Sequence, residues 1–344
     1  MNKKLNKNWA KLLLLFSLFI FSPECDRYIY ASFLDVGVSP RQMGMGEAFI
    51  GLADDVSAVH YNPAGLAQLK SPQLSANWTA LYPGLDYLNN NGIGFLGYAH
   101  PTTKYGIFGG SWNQLYIAEL YKENSFNISY SFPLSFIPYL KEKIPDLSEQ
   151  ILIGTNLKIL SLSYGKPAWG IKTPEYDWFE GLEDDVFKNG TTATGVGIDL
   201  GIIYHYSPSL SLGLMLKNLN QPDIHLKNEN IIPLSIGAGV CYRIPEWQMF
   251  EDIKILCDFN YSNNDYQFNI GIEGLILNRQ LAIRSGTQLG MRNLANFSCG
   301  TSYLIPLKGV NFDLGIDYAF RLSLNEFDSR FGSHRIGAIL YFKK

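Results

Sequence analysis

From residue 73 onward apolar and polar side chains alternate with a period of two, and no helical period interrupts the alternation for long. The clearest stretch is 310–320, where Val310, Phe312, Leu314, Ile316, Tyr318 and Phe320 share one face and Asn311, Asp313, Gly315, Asp317 and Ala319 the other. Residues 194–206 repeat the pattern, Ser207-Pro208 turns the chain, and Leu210, Leu212, Leu214 and Leu216 carry it back. The same rule predicts fourteen strands, at 73–81, 92–100, 104–112, 124–132, 151–163, 194–206, 209–217, 233–243, 252–260, 266–275, 280–287, 296–304, 310–320 and 334–342. Lengths near ten residues suit tilted strands that cross a bilayer. Connections after even-numbered strands are mostly tight, and those after odd-numbered strands are longer, reaching about thirty residues at 164–193. One segment breaks the sorting. Residues 133–150 are long where a short turn is expected, with a small helix predicted around Ile137 to Lys143.

The prediction is therefore all-β: a fourteen-stranded antiparallel transmembrane barrel over 71–344, preceded by a segment, 32–70, of a different kind. A soluble β-sandwich also alternates, with its apolar faces turned towards each other. Aromatics near strand ends fit interfacial girdles: Trp78, Tyr82, Tyr98, Trp112, Tyr130, Tyr204, Tyr206, Tyr261, Tyr303 and Tyr341.

Residues 1–31 read as a cleaved signal peptide: Lys3, Lys4, Lys7 and Lys11 precede an apolar run from Leu12 to Phe21 that is too short to span a bilayer. Cys25 lacks the small apolar residues that a lipid-attachment site needs ahead of it. Cleavage removes five basic and two acidic side chains from the 28 Lys and Arg and 31 Asp and Glu, leaving a net charge near −6. Such a charge disfavours a nucleic-acid partner. At 17% the charged fraction falls short of the roughly 25% of globular chains, as a wall facing lipid requires.

The segment 32–70 does not alternate. It contains Arg41-Gln42-Met43-Gly44-Met45-Gly46-Glu47-Ala48-Phe49, Ala53-Asp54-Asp55-Val56-Ser57-Ala58 and Tyr61-Asn62-Pro63-Ala64-Gly65-Leu66-Ala67. Asp54 or Asp55 is placed to cap a turn at Val56 to Val59, and Asn62 to cap a turn opened by Pro63. These residues resemble the PorV/PorQ family of outer-membrane proteins and the related FadL-like barrels. The resemblance covers about forty residues, and it implies a fourteen-stranded barrel whose N-terminal segment forms a hatch in the lumen, with an Asn-Pro-Ala turn that Asn62, Pro63 and Ala64 match. The hatch motif is then Arg41, Met43, Gly44, Met45, Gly46, Asp54, Asp55, Asn62, Pro63, Ala64 and Gly65. The C-terminus departs from the common barrel pattern, because Lys343 and Lys344 follow Phe342.

No cofactor, metal or catalytic site is expected. His60, His100, His205, His225 and His334 lack ligand spacing, Gly44-Met45-Gly46 and Gly195-Val196-Gly197 lack the context of a dinucleotide loop, and no G-x-S-x-G elbow is present. The mature cysteines, Cys241, Cys257 and Cys299, form no disulfide framework. For a protein of the outer membrane the leading reading is a partner barrel in protein secretion, with hydrophobic uptake as the close alternative and a structural envelope barrel without flux as a third. The PorV resemblance implies a partner or shuttle barrel in protein secretion, receiving secretion-system subunits or exported proteins on its long loops, where Trp169, Tyr176, Trp178 and Phe179 cluster. The FadL resemblance implies uptake of a hydrophobic small molecule, for which Phe33, Leu34, Met43, Met45 and Phe49 either line an apolar pocket or pack the hatch against the wall.

Overall fold

A computed structural model describes residues 32–33, 35–81, 91–102, 104–117, 121–165, 190–226, 229–291, 294–325 and 332–343. The expected signal peptide, Leu34, Tyr82 and the aromatic loop residues Trp169, Tyr176, Trp178 and Phe179 lie outside them.

Fourteen strands form one closed antiparallel sheet: β1 Gln73–Ala80, β2 Asn91–Pro101, β3 Ile107–Ile117, β4 Tyr121–Pro133, β5 Ile151–Tyr164, β6 Thr192–Ser207 and β7 Leu210–Lys217, followed by β8 Ser235–Trp247, β9 Phe250–Ser262, β10 Asp265–Ile276, β11 Leu281–Gly290, β12 Ala295–Ile305, β13 Phe312–Ser323 and β14 Ser333–Phe342. Each strand pairs with its neighbours in sequence, and β1 closes the ring on β14, Gln73 opposite Tyr341 and Ala80 opposite His334. Closure excludes the sandwich alternative, which leaves edges. Among the described residues no helix is long and apolar enough to cross a membrane.

The alternation sorts side chains as expected. Trp78, Leu96, Tyr98, Ile128, Ile159, Val196, Ile283 and Ile316 are exposed on the outer face, while Ser75, Asn77, Thr79, Ser129, Asn156, Asp199 and Asp258 are buried on the inner one. A wall that is apolar outside and polar inside inverts the arrangement of a water-soluble protein. One girdle residue is corrected: Tyr341 shares the inner-face parity of Arg335 and Ile339 and packs on the buried core rather than outward.

Boundaries moved most at β3, placed here at Ile107–Ile117 instead of 104–112. The turn before it is closed by Thr102, whose hydroxyl donates to the Gly106 carbonyl at 2.6 Å and accepts from the Tyr105 N–H at 3.0 Å, so the strand cannot start earlier. The odd connections are also less uniform than expected. That between β9 and β10 is only Asn263-Asn264, both at positive φ (47° and 57°), the left-handed conformation that asparagine tolerates in a two-residue hairpin. The exception after β4 holds a 3-10 turn at Leu134–Phe136 and two short helices, Pro138–Lys143 and Pro145–Gln150, in agreement with the predicted helix.

Candidate functional site

The segment ahead of the barrel folds into a short helix at Pro40–Gly44 (α1), another at Ala58–Tyr61 (α2) and a 3-10 turn at Pro63–Gln68. Local chemistry explains each. Pro40 and Pro63 begin their helical turns, where a missing N–H costs nothing. Asp55 Oδ1 accepts from the Ser57 N–H at 2.9 Å, and Asn62 Oδ1 accepts from the Ala64 N–H at 3.2 Å, the cap anticipated from the Asn-Pro-Ala order.

The segment is seated on the inner faces of strands by close backbone approach. A Cβ at Gly154 would lie 2.2 Å from the Pro63 carbonyl carbon, one at Gly201 2.1 Å from Asn62 Oδ1, one at Gly213 2.2 Å from the Ile50 oxygen, and one at Gly286 2.2 Å from the Met45 carbonyl carbon. At Gly154, Gly213 and Gly286 the atoms met are backbone and leave no room for a side chain, whereas at Gly201 the atom met is the Asn62 amide oxygen. The motif's own Gly44 meets the Gly300 Cα at 3.1 Å from a built Cβ, and Gly46, at φ 64°, would drive one into Thr287. Gly65 is shut in by the Ala53 carbonyl in the same way, at 1.9 Å. Glycine is thus used on both surfaces to bring two backbones together.

Polar groups fix the register. Asn62 Nδ2 donates to the Ile50 carbonyl at 3.0 Å and to the Ile202 carbonyl of β6 at 3.2 Å. Asp258 of β9, fully buried, accepts the Phe49 and Ile50 N–H groups at 2.5 and 2.8 Å. Asn156 of β5 donates to the Val59 carbonyl at 2.8 Å, and Ser211 of β7 to the Gly51 carbonyl at 2.6 Å.

Two ionic clusters fasten the segment, one reaching β9, β10, β11 and β13 and the other β13 and β14. In the first, Arg41 makes paired bonds to Glu273 of β10 at 2.9 and 2.8 Å and reaches Asp54 at 2.6 Å and Asp55 at 2.7 Å. Lys254 and Arg284 also converge on Glu273, at 2.6 and 2.7 Å, and Arg284 continues to Asp317 and Ser302. Burial alone would raise the Asp54 carboxyl, but Arg41 and, farther off, Lys254 outweigh it and hold it below the usual carboxylate range. In the second cluster Glu47, at φ 64°, accepts from Tyr61 at 2.6 Å and pairs with Arg335 at 3.2 Å and with Arg321. Burial and the Glu47 carboxylate together push the Tyr61 phenol well above its usual value. Arg335 also donates to the Val36 and Ser39 carbonyls at 3.1 and 3.0 Å, tying the start of the segment to β14. Breaking either cluster would leave a buried charge without its partner.

The structure therefore brings Arg41, Met43, Gly44, Met45, Gly46, Asp54, Asp55, Asn62, Pro63, Ala64 and Gly65 into one packed unit. Met43, Met45 and Phe49 have no exposed surface, and Arg41 lies over the Phe49 ring at 5.3 Å. These three pack the segment against the wall, one of the two roles open to them. A cavity of about 250 Å³ lies at the ionic cluster, and its lining is mixed: Arg41, Lys254, Glu273 and Arg284 on one part, Leu275, Ile339 and Tyr341 on another. Phe33 belongs elsewhere. It packs on a separate apolar cluster of Leu160, Leu162, Ala193, Ile224 and Ile232 at the end of the longest connections, and its N–H donates to Glu123 at 2.6 Å.

Sequence reading missed the barrel half of the site, Glu273, Lys254, Arg284, Asp258 and Arg335, and gave Glu47 of the segment no role. The signal was available. In a charge-poor chain, Lys254, Asp258 and Glu273 each sit at the polar parity of a strand whose other face is apolar, as Ile253, Ile255 and Ile272 show.

Comparison with known proteins supports the barrel and leaves the family open. The family described as "F plasmid transfer operon, TraF, protein" matches residues 142–267 only. No curated protein matches the sequence. Among solved structures, the chain is similar to the Ralstonia pickettii toluene transporter TbuX (13% identity, TM-score 0.57, 89% of this chain and 98% of that one). It is similar to the CymD monoaromatic hydrocarbon channel (13%, 0.57, 91% and 100%). A Pseudomonas aeruginosa FadL homologue is a third such structure (11%, 0.53, 88% and 96%). At these identities the likeness is one of fold: a closed fourteen-stranded antiparallel barrel of the FadL type.

Proposed function

We propose that this protein is an outer-membrane channel for hydrophobic small molecules, in which residues 32–70 plug the lumen and move to let cargo pass. The observation that carries the reading is the seat of that segment. Its backbone lies against inward glycines of β5, β6, β7 and β11, and ion pairs hold it from β10 and β14, so passage along the barrel axis requires those contacts to break. Two solved structures of similar fold, TbuX and CymD, are described as a toluene transporter and a monoaromatic hydrocarbon channel, which supports a hydrophobic cargo. The half-buried rim of the apolar cluster, Phe33 with Tyr121, Tyr164 and Leu226, gives such a cargo a first contact at the long-connection end. The secretion reading rests on resemblance alone, and the loop aromatics Trp169, Tyr176, Trp178 and Phe179 on which it depends lie outside the described residues.

The test is entry of radiolabelled toluene into cells whose outer membrane limits uptake. Expression of the chain should accelerate entry over an empty vector, and Phe33→Glu should reduce the gain. Equal rates with and without a correctly inserted protein would overturn the reading, and co-purification with secretion subunits would favour the other.

A further inference from the structure

The connection between β4 and β5, residues 134–150, is long at the rim where the other connections are tight, and the gating reading makes no use of it. Its 3-10 turn and two short helices leave Phe136, Ile137, Tyr139, Ile144 and Leu147 exposed, and Ser148 is its one buried residue. Five large apolar groups facing outward on seventeen residues are too many for a turn standing in water.

The exposed surface is continuous with the outer wall. On β4 the outward column runs from Ile128 through Tyr130 to Phe132, whose rings lie 5.4 Å apart, and Phe108 of β3 joins it with its ring 5.1 Å from Tyr130. Phe136 and Ile137 follow in sequence past the strand end, and both are exposed. The rest of the rim matches: the five other connections on this side each carry an exposed large apolar residue at or beside the turn, namely Tyr105, Tyr206, Met249, Leu277 and Val310. A recurrence in all six positions around a closed ring fits a planar boundary rather than one local partner.

We propose that residues 134–150 lie in the headgroup and acyl-chain boundary of the leaflet on the short-connection side, anchoring the barrel in a phospholipid surface. The inference rests on the placement of the barrel in a membrane. The segment carries two cations, Lys141 and Lys143, against three anions, Glu142, Asp146 and Glu149, so apolar insertion rather than charge holds it. Contact with lipid should then persist at high salt.

The test uses the full chain in phospholipid nanodiscs, with Cys25, Cys257 and Cys299 replaced by serine and Cys241 by alanine, and an environment-sensitive fluorophore on a single introduced cysteine. The labelled positions are Tyr139→Cys, Leu147→Cys and, as an outer-wall reference, Ile128→Cys. Acyl-brominated phosphatidylcholine should quench all three to a similar degree, and aqueous iodide should quench none strongly, at 0.1 M and at 1 M salt alike. Quenching of the Ile128 probe by lipid with the Tyr139 and Leu147 probes open to iodide would overturn the anchor. So would shielding of those two from both quenchers, which would mark a protein contact. A reference probe at Ile128 that lipid fails to quench would instead sink the membrane placement itself.

Discussion

The guanidinium of Arg41, thirty-two positions ahead of the first strand, makes a paired contact with the Glu273 carboxylate of β10, with two nitrogen–oxygen distances of 2.9 and 2.8 Å. Glu273 has no exposed surface and is the point on which Arg41, Lys254 and Arg284 all converge. Glu273→Gln keeps the shape but leaves three cations around a neutral amide. Breaking a buried ion pair costs about 3–5 kcal/mol. That cost should fall on the seat of the 32–70 segment, so hydrogen exchange over residues 40–55 should quicken and single-channel conductance should rise, while the folded barrel keeps its resistance to detergent. Arg41→Lys should fall between the two, because a lysine cannot make the paired contact. A Glu273→Gln protein that conducts as the parent does would separate the ionic cluster from gating.

Glycine substitution attacks the same seat from the wall. Adding a methyl at Gly286 places it 2.2 Å from the Met45 carbonyl carbon, and adding one at Gly154 places it 2.2 Å from that of Pro63, both backbone atoms that cannot swing aside. Gly286→Ala and Gly154→Ala should therefore displace the segment and raise conductance. Gly94→Ala, on the outer wall, meets only the Trp78 ring at 3.6 Å and should leave conductance unchanged. Overpacking of this kind costs about 1–3 kcal/mol.

The barrel was legible because a strand repeats every two residues and a wall apolar on one face and polar on the other makes every repeat visible. All fourteen strands follow from that rule, including weak ones such as β7, where Leu210 to Leu216 mark the outer face. The cap at Asn62 was legible for a different reason: its chemistry is local, with donor and acceptor two residues apart. What joins Arg41 to Glu273 spans 232 positions, and no periodicity encodes which inner-face carboxylate an upstream arginine will meet. Tyr341 was misplaced because an aromatic near a strand end suggests a girdle by type, whereas its parity with Arg335 places it inside.

The two faces of the wall should respond oppositely to charge. Ile128 is 63% exposed on the outer face of β4, and Ile128→Arg should impair insertion by roughly 2–4 kcal/mol if the position lies near the bilayer midplane. Asp313, which pairs with Lys343 at the exposed end of β13, should tolerate Asn with little effect. Asp317→Asn should be felt more, since Asp317 holds Ser302 and Arg284 in the buried network. The heat-modifiable gel shift and urea unfolding in detergent measure all three. Equal tolerance at Ile128 and Asp313 would contradict the assignment of the faces.

Acid should loosen the segment through His60. Its Nε2 lies 2.9 Å from Asp35, Asn113 donates to its Nδ1 at 3.3 Å, and Lys217 reaches the same Asp35 carboxylate at 2.5 Å. Burial, reinforced by the Lys217 cation, holds the His60 imidazole below its ordinary value despite the pull of Asp35. A base whose folded value is depressed binds fewer protons folded than unfolded, so stability rises with pH across the interval between the two values. The contribution is complete above about pH 6.5, the ordinary histidine value, and is lost as pH falls through the depressed one. Asp54, held below its own range, weakens in the same direction but only at pH below about 4, so the two steps separate. Hydrogen exchange over residues 56–66, followed from pH 8 to pH 5 and corrected for the intrinsic rate, should show protection falling below about pH 6.5 in the parent chain. In His60→Gln, which keeps a polar group of similar reach but cannot take up a proton in this range, protection should stay level over the same interval. A parallel loss of protection in both proteins would assign the acid response to another group.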